Sequence, residues 1–160
     1  MMNDQLELLL AEADKFMKKY ELSKTVGPDY YEPGMMEHLD KYWGQYFPDR
    51  REFLLRFEVK GTRYAGRTEK IEKVQINDHL RVVRDRENAY NHNNFLLTTE
   101  KGQDVGTLPA ELCNAIAPLF DSGQISFKEA RVSYAQPISQ RSRYAKQAIL
   151  FVELNLQLLT

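Results

Sequence analysis

The chain holds one cysteine in 160 residues, Cys113, and a lone thiol can neither close an internal disulfide nor complete a metal cluster. Its setting, Leu112-Cys113-Asn114-Ala115-Ile116, reads as the apolar side of a helix and predicts a buried, inert thiol. Histidine is scarce as well. His38, His79 and His92 fall in different elements, without the close spacing of zinc or iron ligands, so neither a metal nor any other cofactor is expected. No apolar run approaches the roughly 20 residues that span a bilayer, and no basic segment followed by an apolar stretch opens the chain, so the protein is expected in the cytoplasm. No serine stands in a nucleophile-elbow context. Gly61-Thr62-Arg63-Tyr64-Ala65-Gly66 lacks the Lys-Ser or Lys-Thr ending of a phosphate-cradling loop. The carboxylates are scattered over helix faces and turns. These absences point to a binding protein and not an enzyme.

Charge is unevenly spread. The formal net charge is -1, yet residues 1–50 carry ten acids against six bases, while 51–160 carry sixteen bases against thirteen acids. The basic half could meet phosphate on one face, and such contacts supply most non-specific affinity for nucleic acid.

Apolar periodicity divides the chain at the same place. Leu6, Leu9, Leu10, Ala13, Phe16, Met17 and Tyr20 recur at helical spacing over 3–20, and Met36, Leu39, Tyr42, Trp43, Tyr46 and Phe47 predict a second helix over 35–47 that stops at Pro48. From Glu52 the period becomes two, with Phe53, Leu55, Phe57 and Val59 on one side of a half-buried strand. Further strands are predicted over 79–84, 95–99, 105–108, 125–134 and 147–158. A helix opened by Pro109 closes near Gly123, and a polar loop with Arg141, Arg143 and Lys146 spans 135–146. The expected fold is α+β: a helical accessory segment over 1–50, then a domain over 51–160 whose strands curl into a small β-barrel with flanking helices.

Candidate functional residues gather at predicted strand ends. Arg63 and Tyr64 follow the first strand of the domain, Arg84 ends the strand over 79–84 with Arg86 just beyond it, and Asn88, Tyr90, Asn91 and His92 fill the turn that follows. Tyr144 lies in the basic loop. Rings stack on any base, guanidinium groups neutralise phosphate and amides bond hydroxyls or base edges, so the set suits a single-stranded nucleic acid read with little sequence preference. Ordinary roles compete: Tyr64 packing on the sheet, Asn88 chosen for an Asx-turn, the arginines merely solvated. In residues 1–50, Trp43 with Tyr30, Tyr31, Tyr42, Tyr46 and Phe47 would cap the barrel or form a partner-binding surface, and the latter makes a protein-interaction module the rival reading.

The segments Gly61-Thr62-Arg63-Tyr64, Arg84-Asp85-Arg86-Glu87-Asn88-Ala89-Tyr90-Asn91, Val105-Gly106-Thr107-Leu108-Pro109 after Gly102, and Leu119 to Gly123, in that order, resemble the HIRAN domain. This module is found at the N-terminus of certain DNA-remodelling helicase-like proteins and as small bacterial proteins. The resemblance, over 54–156, implies an OB-like or SH3-like barrel that holds the free 3′ end of single-stranded DNA and works beside helicases or nucleases in repair or replication. It implies phosphate contact and stacking for Arg63 and Tyr64, a pocket wall from Asn88 and Tyr90, Asn91 facing the terminal hydroxyl, and a second ring from Tyr144. Where members carry Asn-Pro-Tyr-Asp this chain has Asn88-Ala89-Tyr90-Asn91, and Thr107 and Ala110 stand where DNA-binding relatives have His and Lys.

Overall fold

A computed structural model of the chain describes residues 44–47 and 49–159. The helix expected over 3–20, and most of the one expected over 35–47, lie outside these residues. Seven strands form one antiparallel sheet: β1 (Gly44–Phe47), β2 (Glu52–Glu58), β3 (His79–Asp85), β4 (Asn94–Thr99), β5 (Asp104–Thr107), β6 (Ile125–Gln136) and β7 (Ile149–Leu158). Their spatial order is β1-β2-β7-β6-β3-β4-β5. Among the described residues two helices, α1 (Arg67–Ile71) and α2 (Ala110–Asp121), and a 3-10 turn over Ile138–Gln140 accompany it.

The alternation expected in β2 is realised: Phe53, Leu55, Phe57 and Val59 are all buried. β7, the longest apolar stretch, runs between β2 and β6 and buries Ile149, Leu150, Phe151, Val152, Leu154, Leu156 and Leu158. A central strand is covered on both faces, which is why its first residues lose the strict alternation seen further along. Phe120 docks α2 on the sheet by stacking on Phe127 at 5.1 Å and meeting Phe95 edge-on at 5.5 Å. Cys113 is buried on the same helix, as its apolar setting requires.

Two expectations are corrected. Gly44–Phe47, predicted as the end of a helix, is the edge strand β1, paired with β2 from Gly44↔Leu55 to Phe47↔Glu52. Tyr and Phe suit a strand, glycine weakens a helix, and the otherwise unpaired rim of β2 offers backbone partners. The segment after Gly61, read as polar loop, contains the short helix α1, whose single buried apolar side chain, Ile71, is too little to show as periodicity.

The sheet curls until the continuation of β2 meets β5. Lys60, two residues beyond β2, pairs with Thr107 at the end of β5 through reciprocal backbone hydrogen bonds of 2.9 and 3.0 Å. That seam demands glycine at 106. Its φ is +150°, and a Cβ there would lie 2.3 Å from Val59 Cγ1 and 2.8 Å from the Lys60 carbonyl oxygen.

Candidate nucleic-acid interface

The cleft opens directly over this seam. Two loops build it. In the first, Gly61 takes φ +72°, a left-handed turn that sends the chain outward from β2. Thr62, 1% exposed, anchors the loop by donating from Oγ1 to the Ala148 carbonyl at 2.9 Å, while its own carbonyl accepts from Thr68 Oγ1 at 2.7 Å. Held at its base, the loop projects Arg63 and Tyr64, with the Tyr64 ring 61% exposed and the Arg63 guanidinium 5.3 Å from its centre.

The second loop, between β3 and β4, is organised by Asn88. Its Oδ1 accepts from the backbone N–H of Tyr90 at 2.9 Å and of Asn91 at 3.0 Å, while its Nδ2 donates to Asp85 at 3.1 Å. Asn94 donates to the same Asp85 oxygen, so one carboxylate clamps both ends of the turn. Asn91 is likewise engaged: Oδ1 accepts from Asn93 N–H and Nδ2 donates to Asn114 on α2, which ties the turn to that helix. The Asx-turn thus exists, and it leaves Tyr90 97% exposed at the tip. Such a ring gains nothing from the fold and is available to a ligand.

Between the loops lies a cleft of about 810 Å³, lined by Tyr64 and Ala65 from one side, Asn88, Tyr90 and Asn91 from the other, and Lys60, Arg67, Asn94 and Thr107 to Ala110 elsewhere. Four expected residues, Tyr64, Asn88, Tyr90 and Asn91, come together here. Arg63 neighbours them without lining the cleft and makes no ion pair with a described residue.

Arg84, Arg86 and Tyr144 do not line it. Arg84 donates from Nε and Nη2 to both oxygens of Asp121 at 3.0 Å, and from Nη1 to the carbonyls of His92 and Asn94 at 2.7 and 3.1 Å. Only 11% of its side chain is exposed. Arg86 joins the same carboxylate at 2.9 Å. The hydrogen bonds from Arg84, with the charges of both arginines, hold the Asp121 carboxyl below the usual range against the opposing effect of burial. The pair therefore fastens the β3–β4 turn to the end of α2. Tyr144 is exposed in the basic loop and accepts a 2.7 Å hydrogen bond from Arg143.

Lys60, Arg67 and Asn94 line the cleft without being expected there. Arg67 donates through Nε and Nη2 to both oxygens of Asp104 at 3.0 Å and through Nη1 to the Gly61 carbonyl at 3.1 Å; Lys60 pairs with Glu58 at 3.3 Å. Both cations in the wall are thus matched by carboxylates. The partner of Arg67 is 37 residues distant, so no local pattern announces it. Among the described residues no group of three or more His, Cys, Asp or Glu side chains is placed to hold a metal. No described helix is long and apolar enough to cross a membrane.

No curated protein matches the chain. Among solved structures it is similar to the crystal structure of the HIRAN domain of human HLTF, at 24% identity over 65% of this chain and 76% of that one, with a TM-score of 0.47. A protein from Lactobacillus plantarum gives 16% identity over 65% and 97%, with a TM-score of 0.48. The HLTF HIRAN domain in its DNA-bound conformation gives 24% over 65% and 75%, with a TM-score of 0.44. The family model of the HIRAN domain matches residues 53–151. That span runs from β2 into β7 and takes in both loops, the seam and every residue lining the cleft, so the chain belongs to the HIRAN domain family.

Proposed function

We propose that the cleft binds an unpaired DNA strand at its end, and that the protein is a non-catalytic binding module acting in the cytoplasm beside helicases or nucleases that process damaged or replicating DNA. The observation that carries this reading is that Tyr64 and Tyr90, distant in sequence and held by separately anchored loops, present exposed rings to one cleft. Its volume falls within the roughly 300–1,000 Å³ typical of ligand clefts. Stacking tolerates any base, so affinity follows ring area and not sequence. Asn91 Oδ1, already accepting one N–H, has a second lone pair for the terminal 3′ hydroxyl. A neutral amide holds that hydroxyl more weakly than a carboxylate would, so end preference is modest.

Fluorescence anisotropy with short oligonucleotides tests the reading. Binding at low salt that is stronger for a free than for a phosphorylated 3′ terminus is the expected result. Equal binding of the two ends removes the end preference and leaves strand binding; no binding at all removes the proposal.

A further inference from the structure

A second groove, of about 390 Å³, lies on the other side of the α1–β5 packing and is used by nothing described above. Its wall takes Lys70 from α1, Lys73 just beyond that helix, and Lys101 from the β4–β5 turn. None of the three makes an ion pair with a described residue. Two carboxylates share the groove: Asp78, whose Oδ2 accepts the Gln75 N–H at 2.9 Å, and Glu100. His79 at its edge faces Glu129 at 3.6 Å. The three lysines of the groove are thus not taken up by ion pairs with described residues, whereas Lys60 and Arg67 in the wall of the tyrosine cleft pair with Glu58 and Asp104.

The two hollows share a rim. Arg67 lines the cleft, and Lys70, one helical turn later on the same face, lines the groove, a rise of about 5 Å. Along β5 the corresponding step is from Thr107 in the cleft to Gln103, just before the strand, in the groove, about 13 Å of extended chain. The bidentate Arg67–Asp104 pair joins α1 to β5 between them and carries no net charge. The lysines of the groove thus begin one helical turn from Arg67 in the wall of the cleft.

We infer that the groove lined by Lys70, Lys73 and Lys101 carries the phosphodiester backbone of the strand whose end occupies the cleft. This rests on the strand-binding reading and adds to it: the cleft holds bases by stacking, and the groove holds phosphates by charge. Lysine suits that task, being a mobile point charge that follows a backbone without fixing its register.

The test titrates full-length protein with oligothymidylates of about three and about twelve nucleotides, lengths chosen to be shorter and longer than the span from cleft to groove. In the K70Q/K73Q/K101Q variant, binding of the short strand stays at its original value. Binding of the long strand falls about tenfold or more at low salt, and the slope of log affinity against log salt loses roughly 2, at about 0.7 per phosphate contact on a single strand. Unchanged long-strand affinity and slope in the variant, with Tyr64→Ala still weakening both lengths, overturns the groove and keeps the cleft. An equal loss for both lengths overturns it too, because the lysines would then serve the end and not the path. If neither length binds the unaltered protein, the strand-binding reading fails first and the groove with it. The single charge reversal Lys101→Glu, on an exposed turn, guards against a folding defect: it must reproduce part of the long-strand loss with an unchanged melting temperature.

Discussion

Tyr90 and Tyr64 expose rings to solvent that a fold under selection for stability alone would bury, so their removal separates binding from folding. Tyr64→Ala and Tyr90→Ala should each weaken strand binding by roughly 1–3 kcal/mol per lost stack, with thermal stability unchanged. A melting temperature that falls together with affinity would show that the rings belong to the core. Asn88 behaves otherwise, because its amide accepts from two backbone N–H groups and donates to Asp85. Asn88→Ala should cost about 1 kcal/mol of stability and also weaken binding, since the tip carrying Tyr90 loses its frame. The Asn88 turn is legible in sequence because its amide bonds only within three residues of itself, whereas the meeting of Tyr64 with Tyr90 and the bond from Asn91 to Asn114 depend on the fold. Arg84 is not legible: an arginine at a strand end looks the same in sequence whether it awaits phosphate or grips a carboxylate, and its partner Asp121 is 37 residues away. Arg84→Lys keeps the charge but cannot form the two-pronged contact, so denaturant melts should show a loss of stability at unchanged charge.

Among elements, the strands with one buried face were readable from period alone, and β2 buries its alternating apolar set while Leu54 and Arg56 between them stay half-buried, although Glu52 and Glu58 at its ends are buried too. The failures are short elements whose stability comes from neighbours. β1 exists because β2 has a free rim, and α1 is held by the Arg67–Asp104 pair and by Ile71, features that five residues of sequence do not display. The seam between Lys60 and Thr107 is likewise invisible locally, though Gly106 hints at it. Gly106→Ala would press a methyl group into Val59 and the Lys60 carbonyl at a φ that alanine resists. The expected cost is roughly 1–3 kcal/mol, read as a lower denaturant midpoint. Because the seam floors the cleft, the same variant should bind oligonucleotides less well even at temperatures where it remains folded.

At the scale of the whole molecule, three carboxylates act as clasps between segments far apart in sequence. Glu52 on β2 meets Lys128 on β6. Glu72 after α1 accepts from the Ser139 hydroxyl and N–H in the 3-10 turn. Asp121 holds Arg84 and Arg86. Each is shifted below its usual range, by the hydrogen bond from Lys128, from Ser139 and from Arg84 respectively, with burial opposing in all three. A carboxyl whose folded-state pKa is depressed binds protons more weakly than in the unfolded chain. Its contribution to stability is complete above the unfolded value, near about pH 4, and is lost as pH falls through the folded value. The denaturant midpoint should therefore hold steady toward neutral pH and drop as the solution is acidified below about pH 4. Asp121→Asn removes one clasp and its titration together. The variant should start less stable at neutral pH and lose less on acidification, so that the two curves converge at low pH. Parallel curves across the whole range would mean that Asp121 titrates alike in both states, and that the two arginines hold the end of α2 by packing and not by charge.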